Sequence, residues 1–290
     1  MSIKISNPQH DGFEIVLPYN LSIQHTVNSH GWVNLDPWKW NHSSQTLSRI
    51  ENLGNSISST ISINQKNLNT IVIKSPNLNP ESIELIKKIV FRWISAEWNP
   101  NKIIELSKNL NNDIFHFLNI GGGRFLRSST FYEDVCKTIL TINTNWASTR
   151  RMTSNLVGIT NDSSFPHPLD IINTGQKSLK SDLRLGFRSR VIYETTMTFL
   201  ERKLINENGE LIDKSISYED LLKLRGIGPY AASHIMFLEH DFSRIPIDSS
   251  VTSYFLNNLG VKKDDIETIF EPWGIYAFLG YSLGRIVQNQ

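Results

Sequence analysis

Cysteine is almost missing from this chain. The one thiol, Cys136, excludes an internal disulfide and any four-cysteine metal cluster. It sits in an apolar helical stretch and reads as a plain core residue. Long hydrophobic runs are missing too. No stretch approaches the ~18 apolar residues that a membrane span needs, and residues 1–7 lack the apolar segment of a secretory leader. A cytoplasmic protein with no membrane partner is therefore expected. Nor is there an excess of one charge: 29 basic against 28 acidic residues leave a net +1, without the strong basic surplus that marks many dedicated polyanion binders. Low-complexity tracts and internal repeats are absent.

What is present suits a globular protein. The chain has 290 residues, 39% hydrophobic and 20% charged, enough for two or three domains around real cores. The charge is unevenly spread. Arg124, Arg127, Lys137, Arg150 and Arg151 fall in one region and Lys177, Lys180, Arg184, Arg188 and Arg190 in the next, while Glu207, Glu210, Asp264, Asp265 and Glu267 lie elsewhere. A solvated face explains most charge runs; the distribution here is read as one basic face on a near-neutral body.

Residues 1–78 read mainly as β structure. Short β-branched runs at 13–17, 59–63 and 70–74 predict strands, the last two joined as a hairpin through 64–69, and 49–51 offer another. Trp32, Trp38 and Trp40 read as packing residues of a small sheet. Pro80 opens a helix with Ile83, Ile86, Ile89, Val90 and Trp93 on one side, placed to cover a sheet face. From Ile103 onward the chain reads helical. Gly121-Gly122-Gly123 lacks the strand before it and the lysine-serine ending of a phosphate loop, and reads instead as a flexible connection. Residues 131–140 predict a helix with Phe131, Val135 and Ile139 inward, leading into a polar loop, Asn143-Thr144-Asn145, with Trp146 packed beneath it.

The most informative stretch runs from 218 to 251. It reads as helix, tight turn, helix, apolar return and a lone carboxylate. Gly226 and Gly228 flank Ile227 and allow backbone dihedrals denied to other residues. Pro229 opens the second helix at its first position, where a missing N–H costs nothing. Ala231, Ala232, Ile235, Met236 and Leu238 form its apolar face. The amides of Ile227, Gly228 and Tyr230, at a helix N-terminus, suit an anion such as phosphate. Phe242, Ile245 and Ile247 return the chain to Asp248. That aspartate, before Ser249-Ser250-Val251, is also an ordinary helix N-cap; the two roles are compatible, since a cap fixes a carboxylate in place.

Leu224-Arg225-Gly226-Ile227-Gly228 followed by Asp248 resembles the helix-hairpin-helix DNA glycosylases, and within them the 8-oxoguanine and 3-methyladenine branch. Arg225 stands where that family usually has proline. Tyr230 stands where its bifunctional members carry the lysine that attacks the sugar. The resemblance implies an α+β protein: a small N-terminal antiparallel sheet domain with a helix (residues 1–115), then an all-helical two-lobed core (116–290) with hairpin and catalytic loop at about 218–250. It implies a monofunctional DNA N-glycosylase, without lyase activity, that flips a modified base from duplex DNA and hydrolyses its glycosidic bond. Asp248 is then the catalytic residue. Gly226, Ile227, Gly228 and Tyr230 hold the DNA backbone. The backbone carbonyls of Leu222, Leu224 and Ile227 match those that bind a monovalent cation, K⁺ or Na⁺; no other cofactor is required, and the iron–sulfur cluster of some relatives cannot form. Asn143 and Asn145 match the loop beside the flipped nucleotide. Phe187 and Arg188, within Gly186-Phe187-Arg188, match the aromatic wedge.

Each residue keeps its plainer reading: Asn145 as a helix cap, Phe187 as core, His234 as a side chain bonded to a carbonyl, Trp273 as core. Tyr230, His234 and Trp273 are the candidates for the base pocket. The expected partner is double-stranded DNA, bound by a monomer. Substrates left open are oxidised or alkylated bases, in repair, and an enlarged pyrimidine such as a glucosylated hydroxymethylcytosine of phage DNA, in defence. A DNA-binding module without chemistry, or lyase chemistry by another lysine, are the competing readings.

Overall fold

A computed structural model of the chain describes residues 4–9, 11–54, 57–212 and 216–288; the start of the segment examined for a leader lies outside them. The chain divides into two compact units, one joining Met1–Glu97 to Ile120–Ile212 and the other joining Trp98–Asn119 to Asp213–Gln290.

The first unit begins with an antiparallel sheet of β1 (Lys4–Gln9), β2 (Gly12–Val16), β3 (Lys39–Asn41), β4 (Thr46–Asn52), β5 (Ser58–Asn67) and β6 (Thr70–Lys74), in the order β1-β2-β6-β5-β4-β3. Every neighbouring pair is antiparallel. A short helix, α1 (Ile23–Val27), precedes β3, and α2 (Pro80–Trp93) follows the sheet. Strands β2, β4 and β5 alternate buried and more exposed positions, as a sheet with one covered face requires. Helix α2 starts as expected, with Asn79 as N-cap and Pro80 at its first position, and buries Ile86, Ile89, Val90 and Trp93. Trp93 meets Trp38 edge-on at 4.9 Å. Strands β1 and β3, with the sequences KISNPQ and KWN, carry no clear apolar alternation and were not among the expected strands.

The same unit continues with α5 (Phe131–Thr141), α6 (Trp146–Val157), α7 (Pro168–Ser181, bent at Gly175) and α8 (Arg188–Glu201); α3 (Asn101–Leu110) and α4 (Asn112–Asn119) belong to the other unit. The triple glycine is not the flexible connection that was expected. Residues 121–128 are buried throughout. Gly121 takes a φ of +91°, and a Cβ on it would come within 2.6 Å of the Leu21 backbone. Its carbonyl accepts from Ser22 N at 2.9 Å. The glycine is there for close backbone approach, not for mobility.

The second unit joins α9 (Tyr218–Leu222), α10 (Pro229–Leu238), α11 (Ser249–Leu259), α12 (Ile266–Ile269) and α13 (Ala277–Gln288) to α3 and α4. The boundary expected at residue 115 falls inside Trp98–Asn119, because α4 lies against α13 and α3 against the turn that precedes it. Among the described residues no helix is long and apolar enough to cross a membrane.

Candidate catalytic carboxylate and nucleic-acid interface

In the second unit the hairpin is built from local signals. Ser217 caps α9 in a reciprocal box with Asp220, so the helix start is doubly satisfied. The turn closes through Leu224 N to Leu221 O at 3.0 Å and Ile227 N to Leu224 O at 3.2 Å. The Ile227 amide, expected to face a ligand, is thus used inside the turn. Gly226 adopts φ +81°, where a side chain is strained. Gly228 is the N-cap of α10 and has no side-chain cap; a Cβ placed there would meet nothing within 4 Å. The first turn of α10 therefore ends in an open backbone whose leading amides cannot be satisfied within the helix.

Helix α10 buries Ala231, Ala232, Ile235, Met236 and Leu238, the face expected of it. Phe242 and Ile245 are buried in the return, and Phe242 O accepts from Phe278 N at 2.9 Å. Arg244 lies over the Tyr218 ring at 4.3 Å and reaches Glu219 at 3.2 Å, tying the return to the start of α9. Asp248 follows as the N-cap of α11. Its Oδ1 accepts from Val251 N at 2.8 Å and from Ser250 Oγ at 2.8 Å. Its Oδ2 has no hydrogen-bond partner among the described residues, and the side chain is half-buried. One oxygen is locked and the other is available.

Of the expected pocket residues, Tyr230 and His234 are half-buried neighbours with ring centroids 5.9 Å apart, and His234 meets the edge of Phe237 at 4.6 Å. Trp273 is only 8% exposed. A Cβ at Gly280 would come within 2.5 Å of its ring, so Trp273 occupies a packing position. The proposed cation ligands are neutral backbone oxygens at the end of α9 and in the turn. That donor set suits a hard monovalent ion, although Leu224 O already accepts the Ile227 amide. Among the described residues no cluster of three or more His, Cys, Asp or Glu side chains is placed to hold a metal.

In the first unit the loop before α6 and the turn before α8 come together. Asn143 is exposed at φ +47°. Asn145 caps α6, its Oδ1 accepting from Ser148 N at 2.8 Å. Phe187 is 53% exposed and so is not core. Arg188 is 7% exposed. It donates to Asn143 O at 3.1 Å and to Ile142 O, and its guanidinium covers the Phe187 ring at 4.4 Å. Arg188 therefore holds the loop and the aromatic ring in register from behind. Trp146 does not pack beneath the loop as expected: it is 39% exposed, with its ring laid against Gly31.

The basic face is smaller than charge alone implied. Arg124, Arg127 and Lys137 are buried. Arg124 covers the Tyr19 ring at 4.3 Å, Arg127 pairs with Glu97, and Lys137 pairs with Glu133 at 2.7 Å. Arg150, Arg151, Lys177, Lys180, Arg184 and Arg190 are exposed.

The buried cations belong to a network the sequence did not suggest. Arg49 grips both Glu133 oxygens at 2.8 and 2.9 Å, reaches Glu51 at 2.5 Å and lies over Trp38 at 4.6 Å. Asp134 accepts from Arg92 at 2.8 Å, Trp32 Nε1 at 2.8 Å and Ser128 N at 2.9 Å. Burial pushes the Glu133 carboxyl up, but the charges of Arg49 and Lys137 outweigh it and hold the group down at about 2. Burial pushes Glu51 up to about 7 against the pull of Arg49. This network explains how α5, with three charged residues, is buried along almost its whole length.

Comparison with solved structures identifies the fold. MBOgg1, solved with a low-affinity DNA ligand, superposes with a TM-score of 0.72 at 16% identity over 99% of this chain and 97% of its own. The 8-oxoguanine glycosylase/lyase of Clostridium acetobutylicum, in complex with double-stranded DNA, gives 0.70 at 17% over 100% and 99%. The 3-methyladenine DNA glycosylase of Archaeoglobus fulgidus gives 0.66 at 16% over 92% and 97%. No protein-family signature matches the chain, and no curated protein matches it by sequence. The chain thus shares the α+β fold of these solved glycosylases.

Proposed function

We propose that this protein is a DNA glycosylase that hydrolyses the N-glycosidic bond of a modified base extruded from duplex DNA. The observation that carries the reading is Asp248, with Oδ1 fixed by the first turn of α11 and Oδ2 left available, one apolar return after an open-backed hairpin. Breaking an N-glycosidic bond builds positive charge on the sugar, as in glycoside hydrolysis. A carboxylate already fixed in place stabilises that charge without reorganising. Its available oxygen accepts a proton from the attacking water. The fixed oxygen sets its direction.

The Gly228 end of the hairpin suits a phosphate, since no side chain intervenes and the contact ignores base sequence. A monovalent cation on the carbonyls of Leu222, Leu224 and Ile227 would add positive charge beside that phosphate. In the first unit, exposed Phe187 and Asn143 are assigned to the duplex. A base leaving the stack costs a few kcal/mol, and an inserted ring partly replaces the lost stacking. Arg188 and Asn145 support these two residues from within the protein. Tyr230 supplies no amine at the position of the attacking lysine, which favours base removal without strand cleavage.

The test is release of free base, followed by mass spectrometry, from duplexes carrying oxidised, alkylated and enlarged pyrimidine bases. Asn caps a helix as well as Asp does, so Asp248→Asn keeps the fold and removes the anion. It is expected to lower single-turnover release by on the order of 10²–10³ with duplex affinity retained. Undiminished release by this variant would overturn the assignment. Borohydride trapping of a protein–DNA adduct would overturn the absence of lyase chemistry.

A further inference from the structure

Trp146 has no part in the reaction described so far. It opens α6, three residues after Asn143, and is 39% exposed. Its place is nevertheless fixed. Asn145 caps the helix through Ser148 N at 2.8 Å, and Thr149 Oγ1 ties the first turn back to Leu140 O at 3.2 Å. The six-membered end of the indole rests on Gly31, where a Cβ would come within 2.4 Å of Cη2 and 2.5 Å of Cζ2. Gly31 begins a short 3₁₀ turn, Gly31–Asn34, and is not among the residues of positive φ. Backbone conformation therefore does not require a glycine there; room for the ring does. The indole Nε1 has no hydrogen-bond partner among the described residues.

The surroundings say what covers the open part of the ring. Arg150 follows at i+4, on the same face of α6, with Arg151 beside it. Both are exposed, and neither has an ion-pair or hydrogen-bond partner among the described residues. From residue 135 to residue 161 the chain has no Asp or Glu. A flat ring bordered by unpaired cations suits a nucleotide, the base stacking on the ring and the phosphate meeting the cation. Three residues span at most ~11 Å, about three steps of ~3.4 Å along a strand of duplex, so the ring stands within a few nucleotides of Asn143. Resting on the glycosylase reading, which assigns Asn143 and Phe187 to the duplex, we propose that Trp146 is a second stacking site. It takes an unpaired nucleobase beside the gap left by the extruded base, and Arg150 takes the phosphate of that nucleotide. Phe187 fills the gap, and Trp146 catches the neighbour that the opening unstacks. Because Gly31 already holds the ring, little ordering is left to be done on binding. Stacking tolerates any base, so the site favours disturbed over intact duplex whatever the sequence.

The full chain is titrated with two duplexes, one intact and one carrying a stable abasic analogue opposite an unpaired nucleotide. Trp146→Ala is expected to weaken binding to the abasic duplex roughly 5–100-fold, as for one lost stacked base, and to leave the intact duplex within about twofold. Gly31→Ala unseats the ring without removing it and should lose part of the same preference. Arg150→Met should lower the salt slope on the abasic duplex by about 1, whereas Trp146→Ala should leave it unchanged. Trp146→Phe keeps a ring on Gly31 and guards against a misfolded alanine variant. It should abolish the extra quenching of tryptophan fluorescence that the abasic duplex causes over the intact one. Equal losses on both duplexes would make the ring a structural support. An undiminished preference for the abasic duplex in Trp146→Ala would leave it to a protein partner. Either result, full quenching in Trp146→Phe, or an unchanged slope in Arg150→Met would overturn the proposal. If Asp248→Asn is inactive while Trp146→Ala binds as wild type does, this inference fails and the glycosylase reading stands. If wild type binds the abasic duplex through Trp146 yet releases no base from any duplex, the stacking site stands and the glycosylase reading fails.

Discussion

Arg188 separates two explanations of the turn before α8, and its substitution distinguishes them. As a DNA contact, Arg188 would act through its charge. As seen, it is 7% exposed and spent on the protein: two backbone carbonyls, Ile142 and Asn143, and the Phe187 ring. A hydrogen bond to a charged group contributes ~1.5–3 kcal/mol, and a partly exposed cation–π contact ~0.5–1 kcal/mol. Both carbonyls lose the same donor, so the bonds are not independent, and a loss of about 2–4 kcal/mol is expected for Arg188→Met. In a chain of this size that lowers the Tm by roughly 5–15 °C. Arg188→Lys is the decisive variant. It keeps the charge but not the planar fork that spans two carbonyls, and should lose nearly as much stability as Arg188→Met. The number of phosphates neutralised is read from the dependence of duplex affinity on salt, where one lost contact lowers the slope by about 1. Neither Arg188 variant should change that slope, whereas Arg184→Met, at an exposed position, should lower it. A slope reduced in Arg188→Met and restored in Arg188→Lys, with an unchanged Tm, would refute the clamp.

Three further outcomes follow from the same geometry. Gly226→Ala places a Cβ at φ +81° and should cost ~1–2 kcal/mol, weakening duplex binding alike for all sequences; a selective loss for one base would contradict the backbone role of the hairpin. Glu133→Gln leaves Arg49 and Lys137 buried without their shared anion and should destabilise by ~3–5 kcal/mol, measured by urea unfolding; a loss below 1 kcal/mol would remove the network from the account of the fold. His30 donates from Nε2 to Leu126 O at 2.8 Å and accepts the Trp32 amide on Nδ1, so a second proton has no place; burial, aided by the charge of Lys137, lowers it to about 4. Its stabilising contribution is present above pH ~6.5 and lost as pH falls toward 4, about 3 kcal/mol in all; His30→Asn should flatten that part of the stability profile, and an unchanged acid slope would sink the assignment.

Features encoded within a few residues were legible in the sequence. The hairpin, the Pro229 start, the apolar face of α10 and the Asp248 cap each depend on side chains three or four positions apart, and the structure shows them where their spacing put them. Asn145 likewise caps its own helix. The misreadings share a different cause. Arg124, Arg127 and Lys137 looked like surface charge because cations are seldom buried unpaired, yet Arg124 and Arg127 meet Tyr19 and Glu97 on other segments, and Lys137 shares Glu133 of its own helix with Arg49 from 84 residues away, a pairing that no local pattern reveals. In β4 the alternation even runs against hydropathy, with Arg49 and Glu51 buried and Ile50 more exposed.

The role of Arg188 was hidden in a related way. The motif Gly186-Phe187-Arg188 pairs an aromatic with a cation, and in one dimension both belong to the same interface. In the fold, the φ of +61° at Gly186 turns the two side chains to different duties. Phe187 faces out, and Arg188 is held against the carbonyls of Ile142 and Asn143. The outward ring depends on the inward cation, because a half-exposed Phe187 with nothing over its inner face would turn back onto the protein to bury its apolar surface. Phe187→Ala and Arg188→Met should therefore impair base release to a similar degree, while only Arg188→Met lowers the Tm. A strong loss of Tm in Phe187→Ala would mean that the ring stabilises the fold rather than standing ready for the duplex.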